Sequence, residues 1–147
     1  KKMEEKIKMK FSNYYHELII VEIAELYNVE QSEIFLGSRK KNIIFAKRMY
    51  IFILRTMFGL SLQEIGDITN LHHSSIIHHT RKFDFFYNNY IKDSDSYQNI
   101  KTKIYEANLD EKIDALQKQS RVINLELTKL FNIKKKENDK KRKELYS

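Results

Sequence analysis

The sequence predicts an all-α protein: a helix-turn-helix bundle followed by a long helix or short coiled coil. Three observations carry this. The 147 residues contain no proline and only three glycines, all between Gly37 and Gly66, which favours long helices and few tight turns. Helical apolar spacing recurs along most of the chain. A capping-box pattern, Ser61-Leu-Gln-Glu64, starts a short helix immediately after an apolar one. Four segments follow: a mobile basic N-terminus (1–12), a helix-turn-helix domain (13–92), a helical extension with a heptad seam (93–133) and a basic tail (134–147).

Within the domain, Leu18, Ile19, Glu22, Ile23 and Leu26 fall at helical spacing, so Tyr15 to Tyr27 reads as an amphipathic helix. Tyr14, Tyr15 and His16 open it and read as packing residues rather than a stacking platform. Glu30 to Leu36 forms a short helical turn, stopped by Gly37. Ser38 caps a helix running to about Phe58. Its middle, Met49 to Leu54, is apolar on every side but for the Tyr50 hydroxyl. Such a helix must be surrounded, so it is the central one. Gly59 suits a left-handed C-cap. The next helix carries Leu62, Ile65 and Ile68 inward, and Asn70 makes the turn. His73 or Ser74 then opens a helix whose buried side is Ile76, Ile77 and, further on, Phe83.

Asp93-Ser-Asp-Ser96 breaks the pattern and marks a boundary. Asn108-Leu-Asp-Glu111 has the form of a second capping box. From it, Leu109, Ile113, Leu116, Ser120, Ile123, Leu127 and Leu130 alternate in spacings of four and three, a heptad seam with one polar interruption. A parallel homodimer, an antiparallel hairpin against Tyr87 to Ala107, and docking onto the domain all fit the seam. The flanking Gln117, Gln119 and Asn124 do not choose between them by charge. Beyond Ile133 the Lys-rich tail is expected as frayed helix or disorder.

Charge points to the partner. The chain carries +7, and +6 of it lies between Ser38 and Lys82, where eight basic residues meet only Glu64 and Asp67. Concentration of surplus charge on one segment is what phosphate contact requires; the plain alternative is a solvated helix face. The absence of cysteine rules out disulfides and thiolate metal sites. Lys47, Arg48 and Arg55 interrupt the apolar stretch Ile43 to Leu60, which excludes a membrane span there. His72, His73, His78 and His79 invite a zinc reading, but His73 to His78 is five residues and nothing nearby supplements them. No nucleophile, base and orienting group can be assembled, so no catalysis, metal or cofactor is expected.

The block Ile23 to Phe83 resembles the C-terminal DNA-binding domain of the bacterial chromosomal replication initiator DnaA. The residues that carry the resemblance are Ala24-Glu-Leu-Tyr27, Ser38-Arg39-Lys40, Ala46-Lys-Arg48, Ser61-Leu-x-Glu-Ile-Gly66 and His73-Ser-Ser-Ile-Ile-His78. The initiator's phosphate-binding Gly-x-x-x-x-Gly-Lys-Ser/Thr does not occur in these residues, so melting of an origin by the initiator's own mechanism is not expected. The resemblance implies an arginine in the minor groove, Arg39, where concentrated negative potential favours a guanidinium. It places Lys47, Arg48 and Arg55 at the backbone or groove edge, with Lys40 and Lys41 as further phosphate contacts. It gives Leu62 and Gln63 backbone amides that can meet a phosphate. His73, Ser74 and Ser75 fall at the base-reading tip, with His78 one turn on. The reading tip also departs from the family: His72 stands where an aspartate is usual, Ser75 where a threonine is usual, and Leu71 where arginine is usual.

The expected partner is therefore double-stranded DNA, with a homodimer through Leu109–Leu130 and replication or transcription proteins as further partners. A cytoplasmic or nucleoid location and a phage or mobile-element setting suit a stand-alone domain of this kind. The alternatives are a transcriptional regulator, or a coiled-coil interaction protein with the helix-turn-helix as scaffold.

Overall fold

The computed structural model describes residues 9–146. Six α-helices follow one another: α1 (Asn13–Tyr27), α2 (Lys41–Met57), α3 (Leu62–Thr69), α4 (His73–Arg81), α5 (Phe83–Phe86) and α6 (Asp95–Tyr146). A 3₁₀ turn at Gln31–Glu33 precedes α2, and a π turn at Tyr87–Ile91 follows α5. The described residues contain no strand. The chain divides into two compact units, one reaching Tyr105 and one beginning at Glu106.

The first unit is built around α2. Ile43, Ala46 and the whole run Met49 to Leu54 are buried, as a helix apolar on all sides demands. Helices α1, α3 and α4 pack against it. Aromatic rings fill the remaining space. Phe52 meets Phe83, Tyr87 and Tyr97 at centroid separations of 5.2, 5.8 and 6.0 Å. Phe45 meets Phe86 at 5.4 Å and Tyr90 at 4.7 Å. Tyr15 is buried against Phe58, and Tyr14 is exposed. Tyr50 shares a 2.6 Å hydrogen bond with His16 Nδ1, so its hydroxyl is partnered inside the core. Burial pushes the Tyr50 phenol well above its ordinary value and the Tyr27 phenol up to about 12.

Local signals fix the ends of the elements. Asn28 and Asn70 take left-handed conformations after α1 and α3, and Gly59 does so after α2 with φ 64°. The Ser61–Glu64 capping box is formed in both directions, at 2.9 and 3.1 Å. The α2 start differs from expectation: Lys40 holds the cap position without a side-chain bond, while Ser38 Oγ accepts from Lys40 N at 3.2 Å. Ser38 thus shapes the loop rather than the helix end. Ile68 is exposed rather than inward; the buried positions of α3 are Ile65 and Thr69.

Three further boundaries move. Residues 1–8 of the expected mobile segment lie outside the described residues, but the four that follow are part of the fold: Met9 is buried and Phe11 meets Phe58 edge-on at 5.3 Å. The break at Asp93–Ser96 is real, with Ser94 Oγ accepting from Tyr97 N at 3.2 Å, but it does not end the domain. Tyr97, Ile100 and Ile104 on the first turns of α6 are buried, and Lys103 reaches Glu22 of α1 at 2.8 Å. Asn108 starts no helix. It sits inside α6, which continues unbroken to Tyr146. The basic tail is helix as far as Tyr146, one of the two states expected of it. From Glu106 the second unit is this helix alone. Its seam residues Leu109, Ile113, Leu116, Ile123, Leu127 and Leu130 are all exposed.

Phe52 joins α2 to the aromatic rings that follow α4, so truncation should be costly. Phe52→Ala is expected to lose about 3–5 kcal/mol of unfolding free energy, read from urea denaturation; a loss below about 1 kcal/mol would show that the rings collapse into the space.

Candidate nucleic-acid interface

Helices α3 and α4 meet through a tight turn. Thr69 Oγ1 donates to Ile65 O at 2.8 Å and accepts from Leu71 N at 3.3 Å, which anchors the chain as Asn70 reverses it. Ile65 and Ile76 seal the inner faces of the two helices. Leu62 is half-buried at the start of α3, with Gln63 beside it exposed. The Glu64 carboxylate occupies this helix end, and its hydrogen bonds from Ser61 hold its pKa below the usual range. That negative charge works against a phosphate at the Leu62 and Gln63 amides.

The N-terminal turn of α4 is polar and largely exposed. His72, His73 and Ser74 are exposed, Ser75 is half-buried, and His78 is exposed one turn further on. His72 is the cap residue: its Nδ1 accepts from Ser74 N at 3.1 Å and lies 2.8 Å from Ser74 Oγ. The sequence suggested the helix start to within a residue but not a histidine as its cap.

The basic residues separate into two groups. Arg39, Lys40 and Lys41 are exposed in the loop and first turn leading into α2. Arg55 is exposed as well, but Nη1 donates to Leu60 O at 2.8 Å and braces the link to α3. Lys47 and Arg48 are the correction. They are only 7% and 8% exposed, so they do not present charge to a phosphate. Lys47 Nζ donates to Leu36 O at 3.1 Å. Arg48 Nε donates to His79 Nδ1 at 3.2 Å, and its guanidinium lies 5.7 Å from the Phe86 ring centre. Burial lowers the pKa of both cations. Both stems are apolar and pack along the core, while the charged heads find fixed acceptors.

His79, which the sequence left either packed or facing solvent, is the partner and is packed. It is buried on α4, and its pKa is pushed down to about 4, first by burial and then by the charges of Arg48, Lys47 and His78. A neutral ring is what the geometry requires, because Nδ1 must offer a lone pair to Arg48. The Arg48–His79 bond thus ties α4 to the central helix. Among the described residues, no group of three or more His, Asp or Glu could hold a metal ion, and no helix is long and apolar enough to cross a membrane.

Two short helices joined by a three-residue turn, packed on a central helix and presenting a polar N-terminal tip, define a helix-turn-helix domain. Residues 16–83 match the family described as bacterial DnaA protein helix-turn-helix. This part of the chain resembles the C-terminal domain of that initiator. Similar proteins include the chromosomal replication initiator protein DnaA of Kosmotoga olearia, 35% identical over 68 residues. Those of Pseudothermotoga lettingae and Lachnoclostridium phytofermentans are 30% identical over 78 residues and 31% over 84. The matches cover 46%, 49% and 56% of this chain, but only 15%, 18% and 18% of the relatives. No solved structure matches.

The buried histidine sets a pH dependence. The folded pKa of His79 is depressed to about 4, against about 6.5 for an unfolded histidine. Its contribution is complete above the unfolded value and is lost as pH falls from about 6.5 toward 4. Between pH 7 and pH 5 this amounts to roughly 2 kcal/mol. His79→Gln keeps an acceptor for Arg48 and does not titrate, so its unfolding free energy is expected to fall less over that interval by about this amount. Parallel pH profiles for both proteins would refute the assignment.

Proposed function

We propose that this protein binds double-stranded DNA with sequence preference, inserting the N-terminal turn of α4 into the major groove. The observation that carries the reading is the exposed polar tip His72 to Ser75, on a helix-turn-helix pair that resembles the DNA-binding domain of DnaA. His73, Ser74 and Ser75, with His72 and His78, are the base-facing side chains. Arg39 enters the adjacent minor groove. Lys40, Lys41 and Arg55 contact phosphates. Lys47 and Arg48 act from inside, by holding the loop and the reading helix. The relatives are named as chromosomal replication initiators, which favours a role in origin recognition or its regulation, in a phage or mobile element.

Four exposed cations, Arg39, Lys40, Lys41 and Arg55, give an expected slope of log K against log salt of roughly −3 to −4. Lys40→Ala should make that slope shallower by about 1 without changing the preferred sequence. Arg39→Ala should cost about 1–3 kcal/mol, read as lost affinity on the selected duplex. No duplex binding at low salt would remove the proposal.

The exposed seam on α6 supports a second copy of the chain as an additional partner, since a two-stranded coil buries such a stripe. Sedimentation equilibrium is expected to give a dimer for the full chain and a monomer for Leu116→Glu combined with Leu127→Glu. Equal monomer masses would rule this out.

A further inference from the structure

We infer that His72 is a specificity-determining residue that donates a hydrogen bond to an acceptor on a base edge, with guanine the best match. The inference deepens the DNA-binding reading and rests on it. The argument is one of proton placement. Ser74 N points at His72 Nδ1 at 3.1 Å, and a backbone amide can only donate. Nδ1 therefore presents its lone pair. The single ring proton of a neutral imidazole then sits on Nε2. The Ser74 hydroxyl, 2.8 Å from the same Nδ1, rotates freely and can share that lone pair, so it leaves the assignment unchanged. A proton on Nδ1 would set N–H against N–H and remove the helix cap.

The cap thus polarises the ring. One nitrogen is committed to the helix, and the other is a fixed donor. His72 is exposed, and among the described residues Nε2 has no hydrogen-bond partner. In the major groove, guanine offers two neighbouring acceptors, N7 and O6, whereas cytosine offers an amino donor. A fixed Nε2–H fits the first and repels the second. A phosphate oxygen is also an acceptor, and the two sources differ in one respect: only the base contact changes which sequence is preferred.

The test compares full-length wild-type chain with His72→Asn and His72→Asp in selection from a random duplex pool. Asn and Asp are both favoured caps, so both variants keep an acceptor for Ser74 N. Asn also keeps an outward N–H donor; ionised Asp has none and only accepts. The readout is base identity, because the added negative charge of Asp lowers affinity for any duplex. Wild type and His72→Asn are expected to enrich guanine at the same position. His72→Asp is expected to enrich cytosine or adenine there, and to lose about tenfold in its preference for the wild-type base. If His72→Asp enriches the same base as wild type while binding all duplexes more weakly, His72 contacts phosphate and the inference fails. If His72→Asn alone shifts the preference, the donor is not what is read and it fails equally. If wild type binds no duplex, the DNA-binding reading falls and takes this one with it.

Discussion

The hydrogen bond from Arg48 to His79 is the constraint on which the placement of α4 depends. It joins the middle of α2 to the buried face of α4. Both partners are withdrawn from water, so neither can be left alone. An unpaired guanidinium in this position would carry a desolvation cost of several kcal/mol. A protonated histidine would face Arg48 as a second cation. The pair is stable in one protonation state only, a charged Arg48 donating to a neutral ring. The Phe86 face, 5.7 Å from the guanidinium, completes its surroundings with a weak attraction for cations. The orientation of α4 is thus set by a directional bond as well as by the apolar contact of Ile76. For a helix proposed to present a few side chains to a groove, direction matters more than the energy of the bond.

The same logic explains why a basic segment contains cations that do not face solvent. Lys47 takes the Leu36 carbonyl and so holds the end of the loop that carries Arg39. Arg48 holds α4. The interior pair therefore positions the two elements proposed to meet DNA, while Arg39, Lys40 and Lys41 are exposed. Removing Lys47 or Arg48 would weaken binding through misplacement of the reading elements rather than through a lost phosphate contact. Salt dependence separates these effects, because only a phosphate contact releases counterions.

What was legible in the sequence follows from the range of each signal. The Ser61–Glu64 box, Gly59 and Asn70 are local devices, and each acts within a few residues; all three stand where the sequence put them. The burial of Met49 to Leu54 was legible because no polar side of the helix exists there. Lys47 and Arg48 were not, because whether a long basic side chain reaches water or an internal acceptor depends on residues far along the chain, here Leu36 and His79. Asn108 shows the converse failure. The capping pattern is present, but the preceding turns are already helical and satisfy their own N–H groups, so the cap has no helix end to serve. With no proline or glycine after Gly66, nothing terminates α6.

The reading tip combines both kinds of information. That residues near His73 open a helix is a local inference. That His72 caps it, and so holds its ring in one tautomer, is a fact of side-chain geometry that no spacing rule contains. The consequence runs from backbone to base. A cap residue is chosen for what it accepts, and a groove contact for what it offers. Serine, threonine and aspartate accept on both counts or can rotate between roles. Histidine is a rigid ring with two nitrogens on separate edges, so satisfying the helix with one nitrogen fixes the opposite property on the other. A change of cap at the head of a reading helix is therefore also a change of what the helix can recognise, even when the helix itself is unmoved.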